Sequence, residues 1–223
     1  MTTREETPVF ADFSSEHDVV RAIEGDIIFG RLTPGTRLVE EALMARFGVT
    51  RHFIRQALAR LERSGVVVHE RNIGATVRSY TLEEVRQIYE VREFLQRQAV
   101  LMIRLPAEET LIAQLERLNA AYRDEAERAD ARGMHEANDA FHLALFGACG
   151  NPYLVRSIRD YMVLSLPMRA QTLINPDALK ISLQQHGIMI ELLRGQDSWA
   201  LAQLCVDHLQ PSKQDYVGRI GSK

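Results

Sequence analysis

Between Leu38 and Gly65 the apolar residues fall at helical spacing in two short blocks. Leu43, Met44 and Phe47 form the first, and Gly48-Val49 interrupts it. In the second, Ile54, Ala57, Leu58 and Leu61 recur at i, i+3, i+4 and i+7, one apolar stripe. Thr50 stands where an N-cap is needed, and its hydroxyl is expected to accept from an orphan N–H of the next turn. Arg51, His52 and Arg55 lie beside the stripe in the first turns, long donors at the front of a helix whose back is buried. Two readings fit this pattern. One is a plain helical hairpin with solvated arginines. The other is a helix-turn-helix, whose second helix enters the major groove N-terminus first and presents arginine forks to guanine or phosphate.

The flanking pattern bears on that choice. Val66 to His69 is a β-rich run, residues 70–74 form a turn, and Ala75 to Arg78 makes a second short strand. A hairpin directly after a helix-turn-helix is a wing. Upstream, Ser15-Glu16-His17-Asp18 has the form of a capping box with Asp in place of Glu. Val20, Ile23 and Ile27 follow as an apolar stripe, Gly30 ends that helix, and Pro34-Gly35 is a turn. Residues 1–14 read as a flexible arm and residues 15–79 as a winged helix-turn-helix domain. The stretches PGTRLVE, LMARFGVTRHFIRQALARLERSGVV and RNIGATV resemble the winged-helix domain of the GntR family of bacterial transcription regulators, from about Val19 to Val77. The resemblance implies operator contacts from Thr50, Arg51, His52 and Arg55, and from Arg71, Asn72 and Gly74 of the wing, with Gly74 at its tip. Glu41 stands where the family often has arginine, so it is assigned no DNA contact.

After Tyr80 the β signals almost vanish. Thr81 to Glu84 is a capping box, and Pro106, Gly133, Gly150-Asn151-Pro152, Asn175-Pro176 and Gly195 then fall at helix lengths. The spacing predicts helices near 81–104, 106–131, 134–149, 152–174, 176–194 and 198–218. Pro152 and Pro176 suit first helical positions, and Pro167 and Pro211 should kink the helices that contain them. The fold expected is mainly α: a winged helix with a small hairpin, then an all-α bundle over residues 80–223. YEVREFLQRQAV, NDAFHLALFGACGNPYL and QQHGIMIELLRGQDSWALAQLCVDHL resemble the FCD branch of the GntR family, whose C-terminal helical domain binds effector. The chain is thus identified as a member of that branch, which implies a homodimer. Val85, Ile88, Val91 and Leu95 exceed one narrow stripe on the first bundle helix, which points to the bundle as carrying the dimer interface, or most of it.

Composition changes this picture little. The 223 residues are 46% hydrophobic and 26% charged, globular values, and the net charge is only −3. Its distribution is more telling. From Arg46 to Arg78 there are seven arginines against two glutamates, a net of +5 on the expected recognition helix and wing. Cys149 and Cys205 have no metal-finger spacing and read as buried thiols of a reducing compartment. The polar, acidic N-terminus is no signal peptide, and no apolar run approaches a spanning helix, so a cytoplasmic chain without membrane contact is expected.

The candidate chemistry lies in the bundle. His142, His186 and His208 fall on three different expected helices. A lone histidine on such a face is usually a core or rim residue. In the FCD family an acidic or amide residue one turn before the first histidine joins three histidines around a divalent metal. The resemblance places that set at Asn138, His142, His186 and His208. Many relatives carry Asp at the position of Asn138, and Asp139 next door is a second choice. Neutral imidazoles suit zinc or nickel better than magnesium or calcium. A site of neutral ligands keeps the whole charge of the ion, which favours an anionic effector such as a small carboxylate. Arg92, in YEVRE, matches a family arginine that resembles a carboxylate clamp. His135-Glu136 begins like a zinc-peptidase motif, but the residue four after His135 is Asp139, and no nucleophile elbow, phosphate loop or dinucleotide fingerprint occurs. The expected protein is therefore no enzyme. It is a regulator whose repression or activation at operator DNA is relieved by a carboxylate. A metal-free effector pocket and a metal-dependent hydrolase stand as alternatives.

Overall fold

The computed structural model describes residues 15–173 and 175–221; the arm expected at 1–14 lies outside them. Helix α1 (Glu16–Ile28) begins on the capping box read from the sequence. The Ser15 hydroxyl accepts from the Asp18 N–H, and the Asp18 carboxylate accepts from the Ser15 N–H at 3.0 Å. Helix α2 (Glu40–Phe47) ends on Gly48 at φ 65°, a left-handed conformation that glycine adopts without a Cβ penalty. Helix α3 (Arg51–Arg63) buries Ile54, Ala57, Leu58 and Leu61, the predicted stripe. Thr50 holds the N-cap position in extended backbone, but its side chain makes no capping hydrogen bond.

Strands β1 (Val67–Glu70) and β2 (Gly74–Val77) pair antiparallel, from Val67 opposite Val77 to Glu70 opposite Gly74. Arg37 adds a bridge to Thr76. The hairpin turn is Arg71-Asn72-Ile73, with Asn72 at φ 69°. Gly74, expected at the tip, instead opens β2 just past it, at φ 96°.

The bundle comprises α4 (Leu82–Leu101), α5 (Glu109–Glu127), α6 (Ala131–Gly147), α7 (Pro152–Leu164), α8 (Leu166–Leu173), α9 (Pro176–Arg194), α10 (Ser198–Asp207) and α11 (Gln210–Gly221). Asn151 and Asn175 cap α7 and α9 with their side-chain oxygens, ahead of the prolines. The two long helices expected at 152–174 and 198–218 are not kinked but divided. Pro167 falls in the first turn of α8 and Pro211 in the first turn of α11, where a missing N–H leaves no ladder bond unmade.

The winged-helix core is not built by the head alone. Ala131 of α6 and Leu166 of α8 are buried in the same cluster as Val19, Ile23, Ile54 and Leu61. Tyr80 pins the junction by donating from its hydroxyl to the carbonyls of Gly65 at 3.2 Å and Leu164 at 2.6 Å. Val85 is fully buried in the bundle, and Ile88 and Leu95 pack against its interior, so of the apolar residues expected on a dimer face only Val91 is exposed. Phe94 joins it on that side of α4, 67% exposed. Among the described residues no helix is long and apolar enough to cross a membrane.

Candidate functional site

Helices α6, α9 and the end of α10 bring three imidazoles together inside the bundle. Nε2 of His142 lies 3.1 Å from Nε2 of His208 and 3.3 Å from Nε2 of His186. The rings are held from behind. His186, fully buried, stacks on Phe141 at 4.0 Å between centroids, and its Nδ1 meets Asn119 Oδ1 of α5 at 3.2 Å. His208 Nδ1 meets Gln185 Oε1 of α9 at 2.7 Å. An amide oxygen only accepts, so both rings must donate from Nδ1, which leaves the Nε2 lone pair of each facing the other rings. His142 Nε2 meets both of these lone pairs, and nothing fixes its tautomer, since its Nδ1 has no hydrogen-bond partner. With the proton of His142 on Nδ1, all three Nε2 lone pairs converge, an arrangement suited to a cation.

Burial holds all three rings neutral. It pushes His208 down to about 4, with the Arg92 and Arg169 charges adding to the effect, and it pushes His142 and His186 well below their ordinary value. Neutral imidazole is the form that ligates. Nitrogens bound at ~2.0–2.1 Å to one ion would stand roughly 2.9–3.4 Å apart at tetrahedral to octahedral angles, and the two spacings above fall in that range. Among the described residues, His142, His186 and His208 form the one group of this kind, with ligating atoms all within 4.8 Å of one another. The residues fit a divalent ion with a preference for nitrogen donors.

Asn138 is buried one turn before His142 on α6, on the wall of the same cavity. Its side-chain nitrogen is 3.4 Å from Asp139 Oδ1. Asp139 itself is engaged elsewhere, by Arg169 Nη1 at 2.9 Å and Nη2 at 3.2 Å, with His135 Nε2 3.6 Å away. Burial alone would raise its carboxyl, but the charge of the adjoining Arg169 guanidinium outweighs that and keeps it ionised. The carboxylate is therefore committed to a buried ion pair.

The cavity, about 60 Å³, is lined by Arg92, Asn138, His142, Arg169, Gln185 and His208, with Tyr122, Ser182 and Ser212 among the other polar groups. This is space for several water-sized groups. Arg92 is 3% exposed, and its Nε and Nη1 have no hydrogen-bond partner. Its guanidinium lies 5.1 Å from the Tyr89 ring, and burial lowers it only to about 10, so it is charged at neutral pH. Arg169 Nε is also without a partner. Unpaired buried guanidinium donors are costly unless something anionic meets them. Sequence reasoning missed Arg169, Asn119 and Gln185. A cationic residue directly after the mainly apolar run Leu164-Ser165-Leu166-Pro167-Met168 was the available signal for the first; isolated amides on helices gave none for the others.

In the winged-helix domain, Thr50, Arg51, His52 and Arg55 are exposed at the front of α3, and Arg71 and Asn72 are exposed at the wing turn beside Gly74. The structure gives the two helix arginines acidic neighbours. Arg51 donates to Glu41 at 2.8 Å, and Arg55 Nε reaches both oxygens of Glu40 at 3.0 and 3.1 Å. Arg46, counted in the basic stretch, is paired instead with the buried carboxylate of Asp26.

The comparisons agree with this two-part architecture. The gntR family of bacterial regulatory proteins matches residues 16–77, and the FCD domain family matches residues 87–211. The chain is 29% identical over 177 residues to the Nta operon transcriptional regulator of Aminobacter aminovorans, covering 79% of this chain and 82% of that protein. It is 24% identical over 196 residues to the HTH-type transcriptional repressor RspR of Escherichia coli strain K12, covering 86% and 84%. In fold it is similar to E. coli McbR/YncC, with a TM-score of 0.71 at 21% identity over 93% of this chain and 97% of that one. These relatives are regulators rather than enzymes. With both domain families matched in order along one chain, the protein belongs to the FCD branch of the bacterial gntR regulators: a transcriptional regulator with a winged-helix DNA-binding domain and a helical effector-binding domain.

Proposed function

We propose that the protein is a homodimeric regulator whose hold on operator DNA is controlled by a small carboxylate, bound in the bundle cavity beside a divalent metal. The observation that carries this reading is the meeting of the three Nε2 atoms, two of them fixed as acceptors by Asn119 and Gln185. His142, His186 and His208 would hold the ion with Asn138, and zinc or nickel suits them best. When bound, the ion supplies a Lewis-acidic anchor for an anionic oxygen. The chain's own contribution is Arg92, whose free buried donors supply the matching charge for a carboxylate.

The path to the DNA follows from the same helices. Helix α6 carries Asn138 and His142, and its Glu136 pairs with Arg21 of α1; α8 carries Arg169, and its Leu166 is buried in the winged-helix core. A ligand that draws on Arg169 or shifts α6 acts directly on the packing of α1, the helix behind α3. For the ligand to release DNA it must bind the DNA-incompetent arrangement better than the competent one.

Arg51, His52, Arg55 and Thr50 would face the major groove, and Arg71, Asn72 and Gly74 the adjoining backbone or minor groove. Phe94 and Val91, exposed on α4, are the apolar residues that a second copy would cover. The test is thermal melting of the full chain with zinc or nickel against chelator. Binding to the folded state alone raises stability by about 2.7 kcal/mol at a hundredfold excess over Kd. An unchanged melting temperature with either ion, with or without carboxylates, overturns the metal reading and favours the metal-free pocket.

A further inference from the structure

The groups around the three imidazoles supply no negative charge of their own. Asn138 offers an amide, Asn119 and Gln185 behind the rings are amides, and Asp139 is already matched by Arg169. Arg92, on the same cavity wall, adds a positive charge and leaves its Nε and Nη1 without a hydrogen-bond partner. A divalent ion would bring this buried site to a formal charge of three, and uncompensated charge in a low-dielectric site is strongly disfavoured.

Resting on the metal reading above, we infer that the ion and the carboxylate bind as a linked pair, each weakly held without the other, and that Asn138 and Arg92 are the residues that impose the linkage. Asn138, buried on the cavity wall one turn before His142, offers an amide, which cancels none of the charge of the ion where a carboxylate would cancel half. Arg92 repels the ion while the cavity lacks an acid and attracts the acid that relieves the repulsion. By reciprocity, the factor by which the acid tightens the metal equals the factor by which the metal tightens the acid. The regulator then responds to metal and acid together, and neither alone fills the site.

The test is a titration of the full chain with Co²⁺, followed by its visible absorbance, in carboxylate-free buffer and in buffer with millimolar succinate. The native chain should bind Co²⁺ roughly tenfold or more tightly with succinate, within the usual span of coupling between two sites. Asn138→Asp should bind tightly without succinate and gain little from it. Arg92→Gln should also tighten Co²⁺ in carboxylate-free buffer while losing the response to succinate, whereas a residue of merely structural importance would weaken binding in both buffers. Equal Co²⁺ affinity of the native chain in the two buffers, with neither variant tightening it, overturns the linkage and leaves the metal site standing. Absence of Co²⁺ bands in the native chain and in Asn138→Asp under both conditions overturns the metal site itself.

Discussion

Arg169 of α8, on the wall of the cavity lined by His142 and His208, meets Asp139 of α6 through two parallel hydrogen bonds, at 2.9 and 3.2 Å. The pair ties together the two helices that reach from the cavity into the winged-helix core, α6 through Ala131 and α8 through Leu166. Asp139→Asn would strand a guanidinium that is 8% exposed. Removing one partner of such a pair costs ~3–5 kcal/mol, partly offset here by the 20% exposure of Asp139. Chemical denaturation should show most of that loss, and a change below about 1 kcal/mol would mean the pair is not a structural tie. Measured where the variant is still folded, zinc binding should persist; its loss would move the fourth ligand from Asn138 to Asp139.

Operator recognition should separate into base reading and phosphate contact. With a duplex selected from a random pool, Arg51→Ala should cost ~1–3 kcal/mol and flatten base preference. Arg71→Ala should weaken all duplexes alike and reduce the salt slope by about 1. Anisotropy titrations at several salt concentrations check both. If Arg51→Ala and Arg55→Ala each leave affinity at fixed salt unchanged, α3 does not dock as proposed.

Acid should destabilise the metal-free chain in a defined window. The folded chain keeps His208 neutral down to about pH 4, and His142 and His186 are also held well below the ordinary value. An unfolded histidine takes up its proton near pH 6.5. Between those limits the unfolded state binds more protons, so the stability contributed by the neutral rings is complete above pH ~6.5 and is lost as pH falls. Melting temperatures in chelator should drop from pH 6.5 towards pH 4, less steeply in His208→Gln. An identical slope in the variant would show that this ring does not titrate as described.

The exposed ring of Phe94 on α4 should lie in the subunit contact. Phe94→Glu should shift the full chain from dimer to monomer in sedimentation velocity without lowering its helical content. A dimer of undiminished affinity would place the contact elsewhere.

Much of this was legible from periodicity and end signals. The stripe from Ile54 to Leu61, the Ser15 and Thr81 capping boxes, and the asparagines before Pro152 and Pro176 are local, and local sequence carries them. Pro167 and Pro211 were read as kinks because a proline inside an apolar period does not say whether the chain bends or restarts. The wing turn is tighter than the expected 70–74, because Asn72 tolerates the left-handed region and lets Glu70 and Gly74 pair as the ends of the strands. Val85, Ile88 and Leu95 looked like a partner face but fill the chain's own interior, since a wide stripe on one helix does not reveal how many neighbours it has. Histidines 142, 186 and 208 were found by resemblance. Asn119, Gln185 and Arg169 were not, because their roles arise from contacts between different helices, far apart in sequence, that no helical period encodes.

The most direct measurement is isothermal titration of zinc into the full chain and into the His186→Ala, His208→Ala variant, both in buffer containing succinate. The account predicts one ion per native chain and no saturable binding in the variant. No binding to the native chain, or undiminished binding to the variant, would contradict it.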